Sequence, residues 1–220
     1  KKEATSLGIT KGYLPIVGSP DAIGVNYTDT RFIGPATADS TLYTYINDDL
    51  FPDLVVGRIY TDTLSATSAY IQRALFYSKF PQSNRVTVVH YDYAANQPEG
   101  IFSEMLAKLF SEIGYQVNNK INVEQRDAIL APEDFQNNFY MNYSDHGAVD
   151  WLGLNSSQLT DLNNTSVMAV GCSTCIFKDF KNPLLFCVKA LAEGAISYMG
   201  MQGGGGTYNI PSYLSALFSG

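Results

Sequence analysis

Two hydrophobic periodicities take turns along the chain. Short apolar runs of strand type occur at 13–17, 54–59, 85–91, 115–118, 139–143, 166–171 and 195–199. Between them lie stretches with apolar residues at helical spacing. The segment 63–80 has Thr63 or Ser65 to cap its start. The segment 100–113 is strongly amphipathic and is ended by Gly114. A weaker helical pattern at 123–137 is interrupted by Pro132, and 182–193 carries Pro183 in its first turn. A loop at Gly203–Gly206 leads into a last helix near 211–219. Strands that alternate with helices of this length must bury both faces of one sheet. The expected fold is therefore α/β: a central, mainly parallel sheet of about six strands between helical layers. No repeat or linker divides the chain, so residues 1–220 read as one domain, with 20–50 as a long loop region.

Charge narrows the function. The net charge is −7 and no cluster of Lys and Arg is present. Tracking a nucleic-acid backbone needs such a cluster, so no nucleic-acid partner is expected. No apolar run approaches the roughly 20 residues of a membrane helix. Tyr, Ser, Thr and Asn are plentiful and Lys is scarce, a surface that suggests a secreted or cell-surface protein. The three cysteines, at 172, 175 and 187, are too few for a disulfide scaffold, and their odd number leaves a free thiol. Cys187 sits in an apolar helical pattern and reads as core.

Active groups of such a sheet gather beyond the carboxyl ends of its strands. The run at 139–143 leads into Ser144-Asp145-His146-Gly147, and the next run leads into Gly171-Cys172. A His and a Cys at neighbouring strand ends meet the needs of a thiol nucleophile. The imidazole favours the thiolate and later protonates the leaving group. The flanking glycines permit tight turns with backbone N–H groups free to face an oxyanion. On spacing alone, catalysis weighs no more than a loop histidine and a small buried cysteine. His90 lies inside a strand and reads as a core or boundary residue. Cys172-Ser173-Thr174-Cys175 is also a C-x-x-C, but it comes late and precedes no clear helix, which disfavours a redox motif. A zinc site lacks a second ligand pair. Arg58 reads as structural, and the glycine loop lacks the Lys-Ser/Thr of a phosphate-binding loop.

Five segments stand in order along nearly the whole chain: Leu14–Gly18, Asp48–Ile59, Asn142–Gly147, Val167–Cys172 with Phe177 beyond, and Leu191–Ile196; together they resemble the gingipain-type family of caspase-like cysteine peptidases. Asn142-Tyr143-Ser144-Asp145-His146-Gly147 resembles the motif of the family's catalytic histidine. Val167-Met168-Ala169-Val170-Gly171-Cys172, with Phe177 beyond, resembles its nucleophile strand. Asp48-Asp49-Leu50-Phe51-Pro52-Asp53-Leu54-Val55-Val56-Gly57-Arg58-Ile59 resembles its acidic turn and following strand. Leu14-Pro15-Ile16-Val17-Gly18 and Leu191-Ala192-Glu193-Gly194-Ala195-Ile196 resemble its first core strand and its helix-to-strand step. Asp145 departs from the pattern, standing where the family carries glycine; its carboxylate could orient His146 or cap the turn. Cys175 stands where small or polar residues are common.

The resemblance implies a caspase-like sandwich and a cysteine endopeptidase. Cys172 is then the nucleophile, His146 its proton-transfer partner, and the Gly147 N–H part of the oxyanion hole. It further implies a carboxylate beneath the P1 side chain, which leans the specificity to Arg or Lys. Glu99 matches that position, though an acidic residue there also suits a helix N-terminus; Asp92, at the end of the strand at 85–91, is its rival. Protein or peptide substrates are implied, with flanking domains or a prodomain outside this piece. No organic cofactor is required, and Asp48 and Asp49 could hold a structural calcium ion. Two rival readings share the fold class: a non-catalytic binding or assembly module, and a doubly wound domain that binds a nucleotide or small molecule.

Overall fold

A computed structural model describes residues 6–8, 12–19, 22–23, 26–28, 37–39, 53–61, 63–90, 98–121, 130–147, 150–172, 174–175 and 185–201. The strands in chain order are β1 (Gly12–Val17), β2 (Asn26–Thr28), β3 (Thr37–Asp39), β4 (Leu54–Ile59), β5 (Arg85–His90), β6 (Gln116–Ile121) and β7 (Tyr140–Ser144). They continue with β8 (Asp150–Trp151), β9 (Leu154–Asn155), β10 (Ser166–Val170) and β11 (Ser197–Gly200). The α-helices are α1 (Leu64–Leu75), α2 (Pro98–Glu112) and α3 (Phe186–Ala192).

Five strands form one all-parallel sheet in the order β11-β10-β7-β5-β6. The chain steps outward from β5 to β6, then returns to the other side of β5 for β7. That reversal opens a crevice at the carboxyl ends of the strands, the usual ligand site of such sheets. The strand count is close to the six expected. Two of the expected strands, β1 and β4, pair with each other as a separate parallel ribbon. Arg58 at the end of β4 donates to the Gly18 carbonyl at 2.9 Å, in keeping with a structural role.

Period-2 alternation sorts the sheet residues between two cores. One face presents Val86, Val88, Tyr140, Met168 and Val170 to Leu106, Ala107 and Phe110 of α2. The opposite face presents Val89, Met141, Tyr143, Val167 and Ala169 to Trp151, Leu159, Leu162, Phe186 and Ala190. The β-branched run of β5 suits a strand covered on both sides. The result is a three-layer sandwich.

Helix α2 stops where Gly114 adopts φ +95°. Tyr115 N–H donates to the Phe110 carbonyl at 2.9 Å and Gly114 N–H to that of Ser111 at 3.1 Å, a Schellman cap. The Phe110 and Tyr115 rings meet edge to face with centroids 5.3 Å apart, which closes the cap hydrophobically. Helix α1 starts at Thr63, whose hydroxyl accepts from Ala66 N–H at 3.2 Å. Tyr70 and Arg73 of α1 donate to the Ile196 and Leu191 carbonyls, at 2.8 and 2.6 Å, and so tie it to α3 and the start of β11.

Three sequence expectations shift. The strand expected at 115–118 runs on to Ile121, across polar Asn118 and Lys120. Asp134 explains this: its carboxylate takes Asn118 Nδ2 at 3.0 Å and Lys120 Nζ at 2.6 Å. The described end of the helical pattern at 123–137 is a single 3₁₀ turn, Pro132–Asp134, in which the same carboxylate accepts from Ala131 N–H at 2.8 Å. The strand expected from Ala195 starts at Ser197, because Ala195 N–H is used to cap α3 through the Ala190 carbonyl at 2.9 Å. The glycine loop at 203–206 and the helix expected near 211–219 lie outside the described residues.

Phe110 is 1% exposed and stacks on Tyr140 with centroids 5.5 Å apart. Phe110→Ala is expected to lower unfolding free energy by about 3–5 kcal/mol in urea titration, through lost transfer energy and a cavity under α2.

Candidate active site at the ends of two central strands

The register of the sheet leads directly to the site. In the β7–β10 pair Val170 stands opposite Ser144. Two residues further along stand Cys172 and His146. Continuing the register sets them opposite each other just beyond the ends of neighbouring strands, which run about 4.8 Å apart in a sheet.

The glycines show how closely the two turns pack. A Cβ on Gly147 would collide with the Cys172 carbonyl oxygen and lie 2.8 Å from its carbonyl carbon. A Cβ on Gly171 would collide with the Asp145 carbonyl oxygen and lie 3.1 Å from Gly147 N. Neither glycine has a positive φ, so space, not backbone freedom, excludes a side chain. The His and Cys turns are thus in direct backbone contact. Both His146 and Cys172 are exposed.

Each turn has its own support. Asp145 Oδ1 accepts from the His146 backbone N–H, so the carboxylate caps the turn, one of the two roles open to it from sequence. Tyr143 Oη donates to the His146 carbonyl at 2.5 Å. The Tyr143 ring stacks on Trp151 at 4.1 Å between centroids, and Trp151 stacks on Phe186 of α3 at 3.9 Å. The histidine turn therefore rests on α3 through three aromatic layers.

The cysteine turn rests on the same helix by a covalent bond. Cys175 and Cys187 form a disulfide with their Cα atoms 5.5 Å apart. This corrects the expectation that Cys187 is plain core. It is buried among Leu185 and Val188, but its partner in space, Cys175, belongs to the turn that carries Cys172, which sequence spacing does not show. Cys172 stands outside the disulfide. Because Cys175 is joined to Cys187, the C-x-x-C spacing is not a disulfide pair.

At the switch point between β5 and β7, His90 is 3% exposed, and its Nδ1 donates to the Ser144 carbonyl at 2.7 Å. Only the Nδ1–H tautomer or imidazolium can do this, since a carbonyl does not donate. His90 Nε2, Ser144 Oγ and both amide atoms of Asn142 are buried without a partner among the described residues. Glu99 stands in the first turn of α2, but its side chain lies outside the described residues. Asp92 and the acidic pair Asp48-Asp49 also lie outside them. Among the described residues no group of three or more His, Cys, Asp or Glu gathers to hold a metal ion. None of their helices is long and apolar enough to cross a membrane.

An α/β sandwich with a thiol and an imidazole on touching turns has the parts of a thiol-dependent acyl-transfer enzyme. Comparison with known proteins agrees. The profile of peptidase family C25 matches residues 7–220, and the chain belongs to that family, which is made up of cysteine-type peptidases. A solved structure named "Structure of Protease" superposes with a TM-score of 0.69 at 18% identity, over 93% of this chain and 48% of its own. That likeness establishes the shared fold, the caspase-like α/β sandwich expected from the sequence. The chain spans about half the length of that structure. No curated protein matches it.

Two outcomes test this geometry. Peptide mapping without reductant should recover Cys175 joined to Cys187 and Cys172 as the thiol that alkylates. Gly147→Ala should lower stability in urea by about 1–3 kcal/mol, because the added methyl must push the turns apart. Gly57→Ala, whose methyl would meet nothing within 4 Å, should change stability by less than about 0.5 kcal/mol.

Proposed function

We propose that this chain is the catalytic part of a cysteine endopeptidase in which Cys172 and His146 act as a dyad. The observation that carries this reading is the register match of Cys172 with His146 across two turns too close for any Cβ at Gly147 or Gly171. Membership of peptidase family C25 supports it.

In the proposed reaction the Cys172 thiol gives its proton to His146, and the thiolate attacks the scissile carbonyl carbon. The tetrahedral oxyanion is met by the Gly147 N–H, assisted by that of Cys172. His146 returns the proton to the departing amine, leaving an acyl-enzyme. Water, deprotonated by His146, then releases the acid and restores the thiol. No organic cofactor enters these steps.

We assign Glu99 to the P1 pocket, with Asp92 as the alternative carboxylate, and hence Arg or Lys at P1 of protein substrates. The place of Glu99 in the first turn of α2, near the sheet crevice, supports this. An exported protein fits the Cys175–Cys187 disulfide, since such bonds persist in oxidising compartments. Further domains or a prodomain beside this unit fit a structural neighbour about twice its length. A structural calcium ion at Asp48-Asp49 is part of the same proposal.

Fluorogenic peptides that vary only at P1 test the reading. Turnover is expected with Arg or Lys, falling about 10³-fold or more in Cys172→Ala and in His146→Ala. Glu99→Gln should cost about 30-fold or more on the basic peptides and leave apolar ones unchanged. Absence of turnover from a folded, thiol-reduced protein, with calcium supplied and any prodomain removed, would favour the non-catalytic module.

A further inference from the structure

The residue that joins the two catalytic turns is neither the cysteine nor the histidine. Thr174 is 1% exposed and lies at the centre of the strand-end region. Its Oγ1 donates toward the Gly171 carbonyl at 3.1 Å and the Ala169 carbonyl at 3.3 Å, one hydrogen shared between the last residues of the β10 segment. The same oxygen accepts from Met201 N–H at 2.9 Å, beyond the end of β11. Cys175 N–H donates to the Met201 carbonyl at 2.9 Å, and Tyr198 Oη donates to the Thr174 carbonyl at 2.9 Å. The nucleophile turn is thereby laced to β11.

The methyl group faces the other way. A Cβ on Gly147 would lie 2.7 Å from Thr174 Cγ2, and one on Gly171 would lie 3.2 Å from it. The Thr174 methyl therefore packs against both catalytic turns at once. A Cβ on Gly200 would lie 3.0 Å from Thr174 Oγ1, so β11 also makes room for this side chain. A hydroxyl that both donates and accepts, beside a methyl small enough to sit between glycines, is a demand that threonine meets.

We propose that Thr174 is a positioning residue. Its hydroxyl fixes the Cys172 turn on β10 and β11, while its methyl fills the space beside the His146 turn without setting the geometry. Thr174 itself touches no reacting atom. This inference rests on the dyad reading for its catalytic consequence, but its structural half stands independently. Valine keeps the shape and removes the hydroxyl, which leaves Met201 N–H and the Gly171 carbonyl without their partner. Serine keeps the hydroxyl and removes the methyl.

The test compares Thr174→Val and Thr174→Ser with the native protein by peptide turnover and by amide hydrogen exchange at Met201. Thr174→Val is expected to speed Met201 exchange about tenfold or more and to lower kcat about 10–100-fold with KM nearly unchanged, because misplacing reacting groups costs rate, not binding. Thr174→Ser should restore Met201 protection and return kcat to within about threefold of native. Native Met201 protection in Thr174→Val, or native kcat in that variant, overturns the proposal. A fall in kcat that serine does not rescue overturns the role of the hydroxyl. If Cys172→Ala retains turnover the dyad reading fails, and Met201 exchange still decides whether Thr174 holds the turns.

Discussion

Backbone contact between two turns is the constraint on which the strand-end region of this molecule depends. The histidine turn and the cysteine turn close on each other at Gly147 and Gly171, leaving no room for a methyl at either position. A dyad requires its two side chains to be held near one another before substrate arrives, and close backbones do this at little cost in side-chain entropy. Parallel pairing supplies the rest. Once Val170 lies beside Ser144, the residues that follow are brought level by the sheet itself. Cys172 and His146 are thereby placed by hydrogen bonds made well below them, in a core covered on both faces.

The short helix α3 holds both turns from beneath. On one side Phe186 supports Trp151 and Tyr143, and Tyr143 Oη holds the His146 carbonyl. On the next residue Cys187 holds Cys175 covalently. Aromatic stacking and a disulfide are different in kind, but here they converge on adjacent residues of one helix. The arrangement separates roles: Cys172 keeps its thiol at the surface, while the remaining cysteines are spent on structure. The carboxylate of Asp145, a departure from the glycine expected before the histidine, caps the same turn through the His146 N–H.

Much of this was legible in the sequence, for physical reasons. The β-branched run of β5, the amphipathic period of α2 and the stop at Gly114 follow from local sterics and burial. The strand-end positions of His146 and Cys172 follow once the strands are found. Family motifs then pointed to the peptidase family that spacing left undecided. What escaped was whatever depends on proximity between distant segments. Cys187 has the apolar neighbours of a core residue, and its bond to Cys175 exists because α3 passes under the Cys172 turn. Thr174 looks like an ordinary polar turn residue; its burial comes from β11. The polar length of β6 is supported by Asp134, which arrives from a 3₁₀ turn later in the chain.

The most direct measurement is the second-order rate of Cys172 alkylation by iodoacetamide at neutral pH, compared between the native protein and His146→Ala. With His146 accepting the thiol proton, the native protein should react about tenfold faster or more. Equal rates in a folded His146→Ala protein would mean that His146 does not act on Cys172, and would contradict the dyad.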